Sequence, residues 1–465
     1  MPSKLTPAVT LLSLIAAIHG SAQAALFAVD QGPYSPQNGN FAQWYQDTHG
    51  RTLDLCLGKA LSSRVPSTPG VPSYMCTLAV AAGVFDDNQP TVFPTNFPDE
   101  AFWFLADAAI PTAGATTLNL KYTAALEAAF GGGDPAPNDQ ISFARIRIRM
   151  DAAPGVYTIT HPYGVEVFTV EAPANNGNGN GNGNAGNTKA INLTRDIGIA
   201  SPGNYNGALS GDVGPFLRSV NGPYIETDPT TGIASKYIGD PNLTEQVTGS
   251  PFNTNYVRVE GPNGLDVRTD LFGITGKLST VVRPTPTIVQ RATYSRKTGG
   301  TGNSGVQAQE DVFSLAPPPP GTSKFVDTDN ADIAMTEADG TGSWYGQSTA
   351  NPTLPVNLQV TADNHVAIPQ NTPTTVPHAL TDLVSIDTAN YSLSSGQLTL
   401  VASTSDAATA TSLTATGSSG GAIGTLSGDG AIKTLTTGIS PIPPAKVTVT
   451  SANGGSDTEE VVIVP

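Results

Sequence analysis

The 465-residue sequence has few charged residues, few helix-favouring residues and only two cysteines. Charged side chains make up 13% of the chain, and methionine occurs four times. The shortage of lysine, glutamate and methionine removes residues that stabilise helices. Glycine and proline are abundant instead, with 49 and 38 residues, and they punctuate chains of short strands joined by turns. The composition therefore predicts an all-β protein.

No apolar run after the first 24 residues approaches the ~20 residues that a membrane-spanning helix needs. The N-terminus itself has the pattern of a secretory signal peptide. Lys4 supplies a basic start, residues 5–18 an apolar core, and Ala22-Gln-Ala24 a small-x-small cleavage site. We expect cleavage after Ala24 and a secreted protein, extracellular or periplasmic, without a membrane span.

Basic residues are outnumbered, with 22 Lys and Arg against 38 Asp and Glu and a net charge of −16. This balance argues against nucleic acid and anionic lipid as partners. The two cysteines, Cys56 and Cys76, are the only pair in an exported chain and predict a disulfide. Zinc is the alternative, but structural zinc takes four ligands and only His49 lies nearby in the sequence.

The clearest strand pattern spans residues 141–170. Its first part alternates apolar residues (Ala144, Ile146, Ile148 and Met150) with Arg145, Arg147 and Arg149, as a half-buried strand does. Pro154-Gly155 and His161-Pro-Tyr-Gly164 interrupt the pattern with turn residues. The stretch predicts an antiparallel meander of three strands that presents three arginines on its outer face.

Three arginines in a row need compensating charge. Acids on neighbouring strands, such as Glu166 or Glu171, could provide it through cross-strand pairs. The alternative is an external anion, either a carboxylated or sulfated glycan or the acidic C-terminal modules folding back, because the guanidinium fork suits such groups. We therefore take Arg145, Arg147 and Arg149 as candidate binding residues.

Turn clusters and a change in charge divide the mature chain into tandem antiparallel β-sandwich modules. We expect an N-terminal β region over 25–281, an acidic β-sandwich over 282–378 and an immunoglobulin-like β-sandwich over 379–465. The first contains a disulfide loop, 56–76, and a flexible Asn/Gly-rich stretch, 174–188. That stretch is either an enlarged loop or an inter-domain linker.

Three segments carry a resemblance to a known group of proteins. They are Thr160-His-Pro-Tyr-Gly, the stretch 249–262 (GSPFNTNYVRVEGP) and the ending 447–458 (VTVTSANGGSDT). The chain resembles uncharacterised exported bacterial proteins built from several β-sandwiches, with an immunoglobulin-like module at the C-terminus. The resemblance implies secretion and modular β architecture, and it transfers no activity and no site residues.

Two further groups are candidate site residues. Trp103 lies in the densest aromatic cluster and could stack on a sugar ring, and the alternative is a core residue of a β-sandwich. Asp327, Asp329 and Asp332 place carboxylates at i, i+2 and i+5, a spacing that could serve calcium, although Ala331 and the missing distant Glu depart from the EF-hand pattern. An acidic turn is the alternative for the three aspartates. We expect no other cofactor.

Residue sets that perform catalysis are missing from the sequence. The four histidines of the mature chain have no metal-ligand spacing, and Gly417-Ser-Ser-Gly-Gly421 lacks the strand and helix that surround a nucleophilic serine. We expect a secreted non-enzymatic protein of the cell surface or matrix, or one that binds carbohydrate, with an anionic glycan or a cell-surface component as its partner. The alternatives are a secreted hydrolase with its site in residues 25–281 and a subunit that self-assembles through strand edges.

Overall fold

The computed structural model describes residues 25–80, 83–113, 116–172, 190–298, 306–351, 353–408 and 410–465. The predicted signal peptide and the Asn/Gly-rich stretch 174–188 lie outside the described residues. The described chain folds into β-strands and three short 3₁₀ turns at Pro36–Asn38, Asn206–Ser210 and Pro262–Gly264, which confirms the predicted all-β class. Within it, no helix has the length and apolar character needed to cross a bilayer.

The N-terminal region, residues 25–281, holds eighteen strands in the part of the chain that is described. They are β1 (Leu26–Val29), β2 (Trp44–Asp47), β3 (Thr52–Asp54), β4 (Leu78–Ala79), β5 (Glu100–Ala113), β6 (Thr116–Phe130), β7 (Gln140–Met150), β8 (Gly155–His161), β9 (Gly164–Val170), β10 (Ile191–Ile197), β11 (Arg218–Ser219), β12 (Tyr224–Thr227), β13 (Ala234–Tyr237), β14 (Glu245–Thr248), β15 (Val257–Gly261), β16 (Leu265–Thr269), β17 (Leu271–Thr275) and β18 (Lys277–Leu278).

The remaining strands form two further sandwiches. The second sandwich comprises β19 (Arg283–Pro284), β20 (Ile288–Thr298), β21 (Val306–Leu315), β22 (Thr322–Val326), β23 (Asp332–Ala334), β24 (Thr336–Glu337), β25 (Ser343–Gln347), β26 (Asn357–Asp363), β27 (Asn371–Thr372), β28 (Thr374–Ala379) and β29 (Thr381–Asp382). The third sandwich comprises β30 (Val384–Ser392), β31 (Gln397–Thr404), β32 (Leu413–Gly417), β33 (Ala422–Leu426), β34 (Ile432–Gly438), β35 (Lys446–Ser451), β36 (Ser456–Glu460) and β37 (Val462–Val464).

Three sheets share one hydrophobic core in the N-terminal region. They run β10-β7-β6-β5-β17-β14-β11, β1-β2-β3-β18-β13-β12 and β16-β15-β8-β9. The alternation predicted for residues 144–150 is confirmed, because Ala144, Ile146, Ile148 and Met150 are all fully buried in this core. Strands β9 and β10, on either side of the Asn/Gly-rich stretch, both contribute side chains to it.

The predicted three-strand meander is wrong. Strand β7 pairs with β6 on one side and β10 on the other, so neither of its edges is free to accept β8. Strands β8 and β9 do form the predicted hairpin, but in another sheet, beside β15. The segment 151–154 therefore carries the chain from one sheet to the next. Gly155 follows with φ +148°, where an added Cβ would meet Pro262 at 2.2 Å.

The second and third sandwiches follow one strand scheme, which the sequence analysis did not detect. The second packs β24-β25-β21-β20-β29 on β23-β22-β26-β28, and the third packs β34-β31-β30-β37 on β33-β32-β35-β36. In each, the first strand of these sheets, β20 or β30, pairs in parallel with the last, β29 or β37. Strand β19 lies outside this scheme and pairs with β27. Each is two mostly antiparallel sheets in an immunoglobulin-like order, without an internal disulfide.

The first strands of the two sandwiches also match in detail. Both have a register shift near the start, between Val289 and Arg291 in β20 and between Ile386 and Thr388 in β30. Each then continues Ala-x-Tyr-Ser, with the alanine and the tyrosine buried. Strand β29 lies after residue 378, where we predicted the module boundary. The three-part domain division itself stays a prediction.

Buried polar contacts join the second sandwich to the third. The Asp406 carboxylate is fully buried, accepts a hydrogen bond from the Tyr294 hydroxyl at 3.1 Å and pairs with the Arg296 guanidinium. Main-chain bonds follow the same path: Arg296 N donates to Ser405 O at 2.9 Å, and Ala407 N donates to Arg296 O at 2.8 Å. Removing one member of a buried ion pair is strongly destabilising, because the other charge remains.

We expect Asp406→Ala to lower the free energy of unfolding of the two C-terminal sandwiches by about 2–4 kcal/mol, since Arg296 would keep its charge without this partner. Thermal and urea unfolding of the mature chain measure the loss. Asp429→Ala is the matched control, because Asp429 is an exposed loop acid. Equal effects of the two substitutions would contradict this account of the junction.

Candidate anion-binding cleft

Two cavities lie between the N-terminal region and the second sandwich, on either side of Arg51 and Arg218. The larger has a volume of about 730 Å³ and the smaller about 380 Å³. Both are lined by Arg51 and Arg218 from the N-terminal region and by Pro320, Ala367 and Ile368 from the second sandwich. We call the two cavities together the arginine cleft.

Buried amides fix the two walls of the cleft against each other. The Asn371 Nδ2 group donates to Gly50 O at 2.9 Å and to Asn364 Oδ1 at 2.9 Å, and Asn364 Nδ2 donates to His49 O at 3.2 Å. Both asparagines are almost fully buried. Gly50 has φ +84°, and a Cβ there would meet Asn371 Nδ2 at 2.4 Å, so this contact needs glycine.

A ring contact adds to this junction. The Arg283 guanidinium lies 4.0 Å from the centre of the Trp44 ring, and Gln46 Nε2 donates to Pro284 O at 3.1 Å. Because β2 carries Trp44 and Gln46, the strand that leads to the arginine cleft is also the strand that holds the second sandwich. The geometry of the cleft therefore depends on the packing of the two units.

One buried carboxylate brings the two arginines together. Asp47 is fully buried at the end of β2; its Oδ1 accepts from Arg51 N at 2.8 Å and its Oδ2 from Phe216 N at 2.9 Å. Arg51 closes the β2–β3 turn, and Phe216 lies two residues before Arg218. Asp47 therefore ties two segments 165 or more residues apart through their main chains, which leaves both guanidinium groups free to line the cleft.

The lining of the larger cavity is strongly basic. Arg51, Arg218, Lys236 and Lys277 line it, and Asp54 is the acidic residue among its described lining groups. Burial raises the pKa of the Asp54 carboxyl, while the hydrogen bond from Ser279 and the charge of Lys277 oppose that shift. A basic cavity stands out in a chain with a net charge of −16. Ligands with negative charge are favoured in such a cavity.

The two guanidinium groups carry positive charge in a partly desolvated place. Burial lowers the pKa of Arg51, and burial together with the Arg51 charge lowers the pKa of Arg218 to about 10. Both groups remain charged at neutral pH. Within the residues that the structure describes, neither forms an ion pair, since the oxygens of nearby Asp47 accept from main-chain amides. An oxyanion between them would relieve their repulsion and could bond to both forks.

The predicted arginine row lies on β7, away from this cleft, and its members differ in their contacts. Arg145 is bonded to Asp196 at 2.7 Å and to the buried Glu127 at 2.8 Å. Arg147 and Arg149 instead donate to uncharged partners, Thr194 Oγ1 at 3.4 Å and Asn192 Oδ1 at 3.3 Å. Binding by this row stays a prediction.

The partners predicted for the row, Glu166 and Glu171, are wrong. Glu166 bonds to Arg195 on β10 at 2.6 Å. The error follows from the meander, since β7 has β6 and β10 as its neighbours rather than β8 and β9. Cross-strand compensation is nevertheless the correct principle for Arg145, because Glu127 and Asp196 lie on those two neighbouring strands.

The other predicted site residues have structural surroundings. Trp103 is fully buried, and its indole N–H donates to Ala42 O at 3.1 Å, so it cannot present a ring face to a sugar. Trp103 is buried because other elements pack on both faces of β5 at this point, as the burial of Phe102 and Phe104 on either side also shows. Trp44 and Trp344 are buried as well. Cys56 and Cys76 form the predicted disulfide, packed against Tyr237 of β13.

Asp327, Asp329 and Asp332 do not converge as a ligand set. Asp327 is buried, whereas Asp332 is exposed on β23 and bonded to Lys324 Nζ at 2.6 Å. Among the described residues, no group of three or more His, Cys, Asp or Glu side chains is placed to hold a metal ion. Calcium binding through these three aspartates stays a prediction without support from the geometry.

Sequence reasoning missed the arginine cleft because no local pattern marks it. Arg51 follows a turn in the least regular part of the sequence, and Arg218 lies in a two-residue strand. Each is an isolated basic residue between apolar or hydroxyl neighbours. The sequence contains one weak indication of the cleft, which is the small number of basic residues in the chain. Four of these residues line a single cavity once the chain is folded.

Comparisons with known proteins give little further information. No family model matches the chain, and no curated protein matches it. A solved structure described as "Crystal structure of tetra-tandem repeat in extending region of large adhesion protein" is similar over 69% of this chain and 69% of its own, at 16% identity and a TM-score of 0.14. Chains with so low a TM-score do not superpose as wholes, so this similarity carries no argument about function.

We expect Asp47→Ala to lower the free energy of unfolding of the N-terminal region by about 3 kcal/mol, because two buried main-chain donors would lose a charged acceptor. Asp134→Ala, at an exposed loop acid, is the control. Thermal unfolding of both variants against the parent measures the difference. A loss no greater than that of the control would mean that Asp47 does not organise the cleft.

For the β7 row we expect unequal effects of equal substitutions. Arg145→Thr removes the partner of Glu127, whose side chain is only 3% exposed, and should cost about 3 kcal/mol. Arg149→Thr removes a hydrogen bond at the surface and should change stability by no more than about 0.5 kcal/mol. Urea unfolding of the two variants compares them. Similar losses of unfolding free energy in the two variants would show that the ion pairs of Arg145 do not stabilise the fold more than the surface hydrogen bond of Arg149.

Proposed function

We propose that this protein is a non-enzymatic component of a cell surface or extracellular matrix and that its arginine cleft binds an acidic glycan. The observation that carries the proposal is the pair Arg51 and Arg218, two guanidinium groups that share a cavity and have no carboxylate partner among the described residues. Guanidinium forks recognise carboxylate and sulfate groups through paired hydrogen bonds.

The other lining groups support a sugar rather than a simple ion. Lys236 and Lys277 add two charges along the larger cavity. Ser235, Ser279 and Thr280 add hydroxyl groups, and Gln370 adds an amide that can bond to sugar hydroxyls. A volume of about 730 Å³ lies within the range of small-ligand sites, which suits a short oligosaccharide.

The charge of the whole chain favours a local acidic ligand over a long polyanion. A net charge of −16 repels an extended polyanion such as nucleic acid, and that repulsion acts over about a Debye length, ~8 Å at physiological salt. A short acidic oligosaccharide inside the cleft would lie close to the four basic side chains and farther from the acidic residues of the rest of the surface. Support for a role without catalysis is the sequence itself, which contains no recognisable catalytic set.

The proposal predicts that Arg51→Gln or Arg218→Gln weakens binding of heparin-derived or galacturonate oligosaccharides at least tenfold, which is about 1.4 kcal/mol. Binding by the parent should also weaken as salt is raised. Isothermal titration calorimetry on the mature chain measures the affinity, with neutral dextran oligosaccharides as the ligand control. Glutamine keeps much of the side-chain length, so the fold should persist.

Arg149→Gln is the matched control variant, since Arg149 is an exposed arginine on the other candidate surface. It should bind like the parent. Loss of binding in Arg149→Gln with full binding in Arg51→Gln would move the site to the β7 row. Equal affinity of the parent for acidic and neutral oligosaccharides would reject the proposal.

A further inference from the structure

A buried carboxyl group that receives no hydrogen bond lies in the second sandwich, and it is not among the residues that line the arginine cleft. Glu310 on β21 is only 1% exposed, and neither of its carboxylate oxygens accepts a hydrogen bond from an N–H or hydroxyl donor in the described structure. Burying a charged group without compensation is very costly. Such a group must therefore be neutralised, either by a proton or by a cation.

The nearest charged group makes the problem worse. The Asp327 carboxyl lies against Glu310, and Asp327 is itself only 5% exposed. One of its oxygens, Oδ1, accepts a hydrogen bond from Thr328 N at 2.6 Å. The two acids come from different elements, β21 and the turn after β22. Two buried carboxyls in contact concentrate negative charge in a place that water hardly reaches.

Three segments rich in oxygen meet at this place. The turn 327–331 is closed by main-chain bonds from Asp327 N to Ala331 O at 3.0 Å and from Asn330 N to Asp327 O at 2.9 Å. The segment after β25 is held on one side by Ser348, bonded to the Glu310 main chain at 2.9 and 3.0 Å. Asn351 of the same segment donates to Asp329 Oδ2 at 3.1 Å.

We infer that Glu310 and Asp327 form a binding site for a hard divalent cation, calcium. Calcium takes six to eight oxygen ligands and accepts carboxylates, main-chain carbonyls and water together, so two carboxylates are a sufficient acidic share. The described residues offer no group of three acidic or histidine ligands, so main-chain carbonyls, amides and water would have to supply the remaining oxygens. The site differs from the aspartate triad that the sequence suggested, because it keeps Asp327, adds Glu310 and includes neither Asp329 nor Asp332.

A calcium ion there would join β21 to the turn after β22 and so brace one end of the second sandwich. Sites of this kind in extracellular modules have dissociation constants of about 10⁻⁴–10⁻³ M. Binding to the folded state alone raises its stability in proportion to the logarithm of the free calcium concentration. This inference is independent of the arginine cleft and of the ligand proposed for it.

The test is calcium titration of the mature chain after removal of metal with EDTA. We expect calorimetry to show one calcium per chain and the thermal unfolding temperature to rise with added CaCl₂ but far less with MgCl₂. Glu310→Gln should weaken calcium binding at least tenfold, and Asp327→Asn is a second variant in case the first does not fold. Terbium luminescence provides a binding readout that does not depend on stability.

Asp332→Asn is the control that separates this site from the sequence-predicted triad, and it should keep the calcium response. A parent protein without any calcium response would overturn the inference. In that case the two carboxyls share a proton, since burial and Asp327 raise the pKa of Glu310 to about 7. A full calcium response in both Glu310→Gln and Asp327→Asn would overturn it equally, because the ion would then bind elsewhere.

Discussion

The arginine cleft depends on one buried carboxylate. Asp47 accepts main-chain hydrogen bonds from Arg51 and from Phe216, and so fixes two distant segments at one point. A carboxylate that receives main-chain donors is held more firmly than a neutral acceptor, because charge-assisted bonds are shorter and stronger. Since main-chain amides satisfy the acid, the side chains of Arg51 and Arg218 have no carboxylate partner within the described part of the chain. The same constraint builds the cleft and leaves it positively charged.

The basic lining of the arginine cleft contrasts with the acidic charge of the chain as a whole. The chain carries 38 acidic residues against 22 basic ones, and four of the basic residues line one cavity. Among the other ten arginines, five pair with carboxylates in the described structure, as Arg145 does with Glu127 and Asp196. The charges of Arg51 and Arg218 repel each other, as the lowered pKa of Arg218 shows, and an anion bound between them would relieve that repulsion. Glu310 and Asp327 are a corresponding case for negative charge: two buried acids lie together in a sandwich that has few basic residues.

Local regularities in the sequence predicted local structure well. The alternation along β7 and the β8–β9 hairpin at His161-Pro-Tyr-Gly164 each follow from side-chain period and turn chemistry. Pairing between distant strands could not be read in this way. Strand β7 pairs with β6 and β10, and nothing within residues 141–170 shows that both its edges are occupied. The shared scheme of the two C-terminal sandwiches was hidden for a related reason, since only a short Ala-x-Tyr-Ser match remains between their first strands.

The candidate sites illustrate the same limit. Tryptophan is a residue type that often binds sugars, which is why Trp103 was a candidate. Its burial results from packing against residues that are distant in the sequence, and no local pattern reveals that packing. Arg51 and Arg218 had no motif, and became a pair only through Asp47. One of the three aspartates predicted to bind calcium, Asp327, belongs to the proposed site. It lies in an acidic motif, whereas Glu310 is a single acid within a strand that no local pattern marks.

The central claim is that the two guanidinium groups of the cleft hold an anion together. The most direct measurement is anomalous diffraction from crystals of the mature protein soaked in selenate, a heavy analogue of sulfate. The account predicts a selenium peak within hydrogen-bonding distance of both Arg51 and Arg218, absent from crystals of Arg218→Gln. Selenate bound along the β7 row, with none between these two arginines, would contradict it.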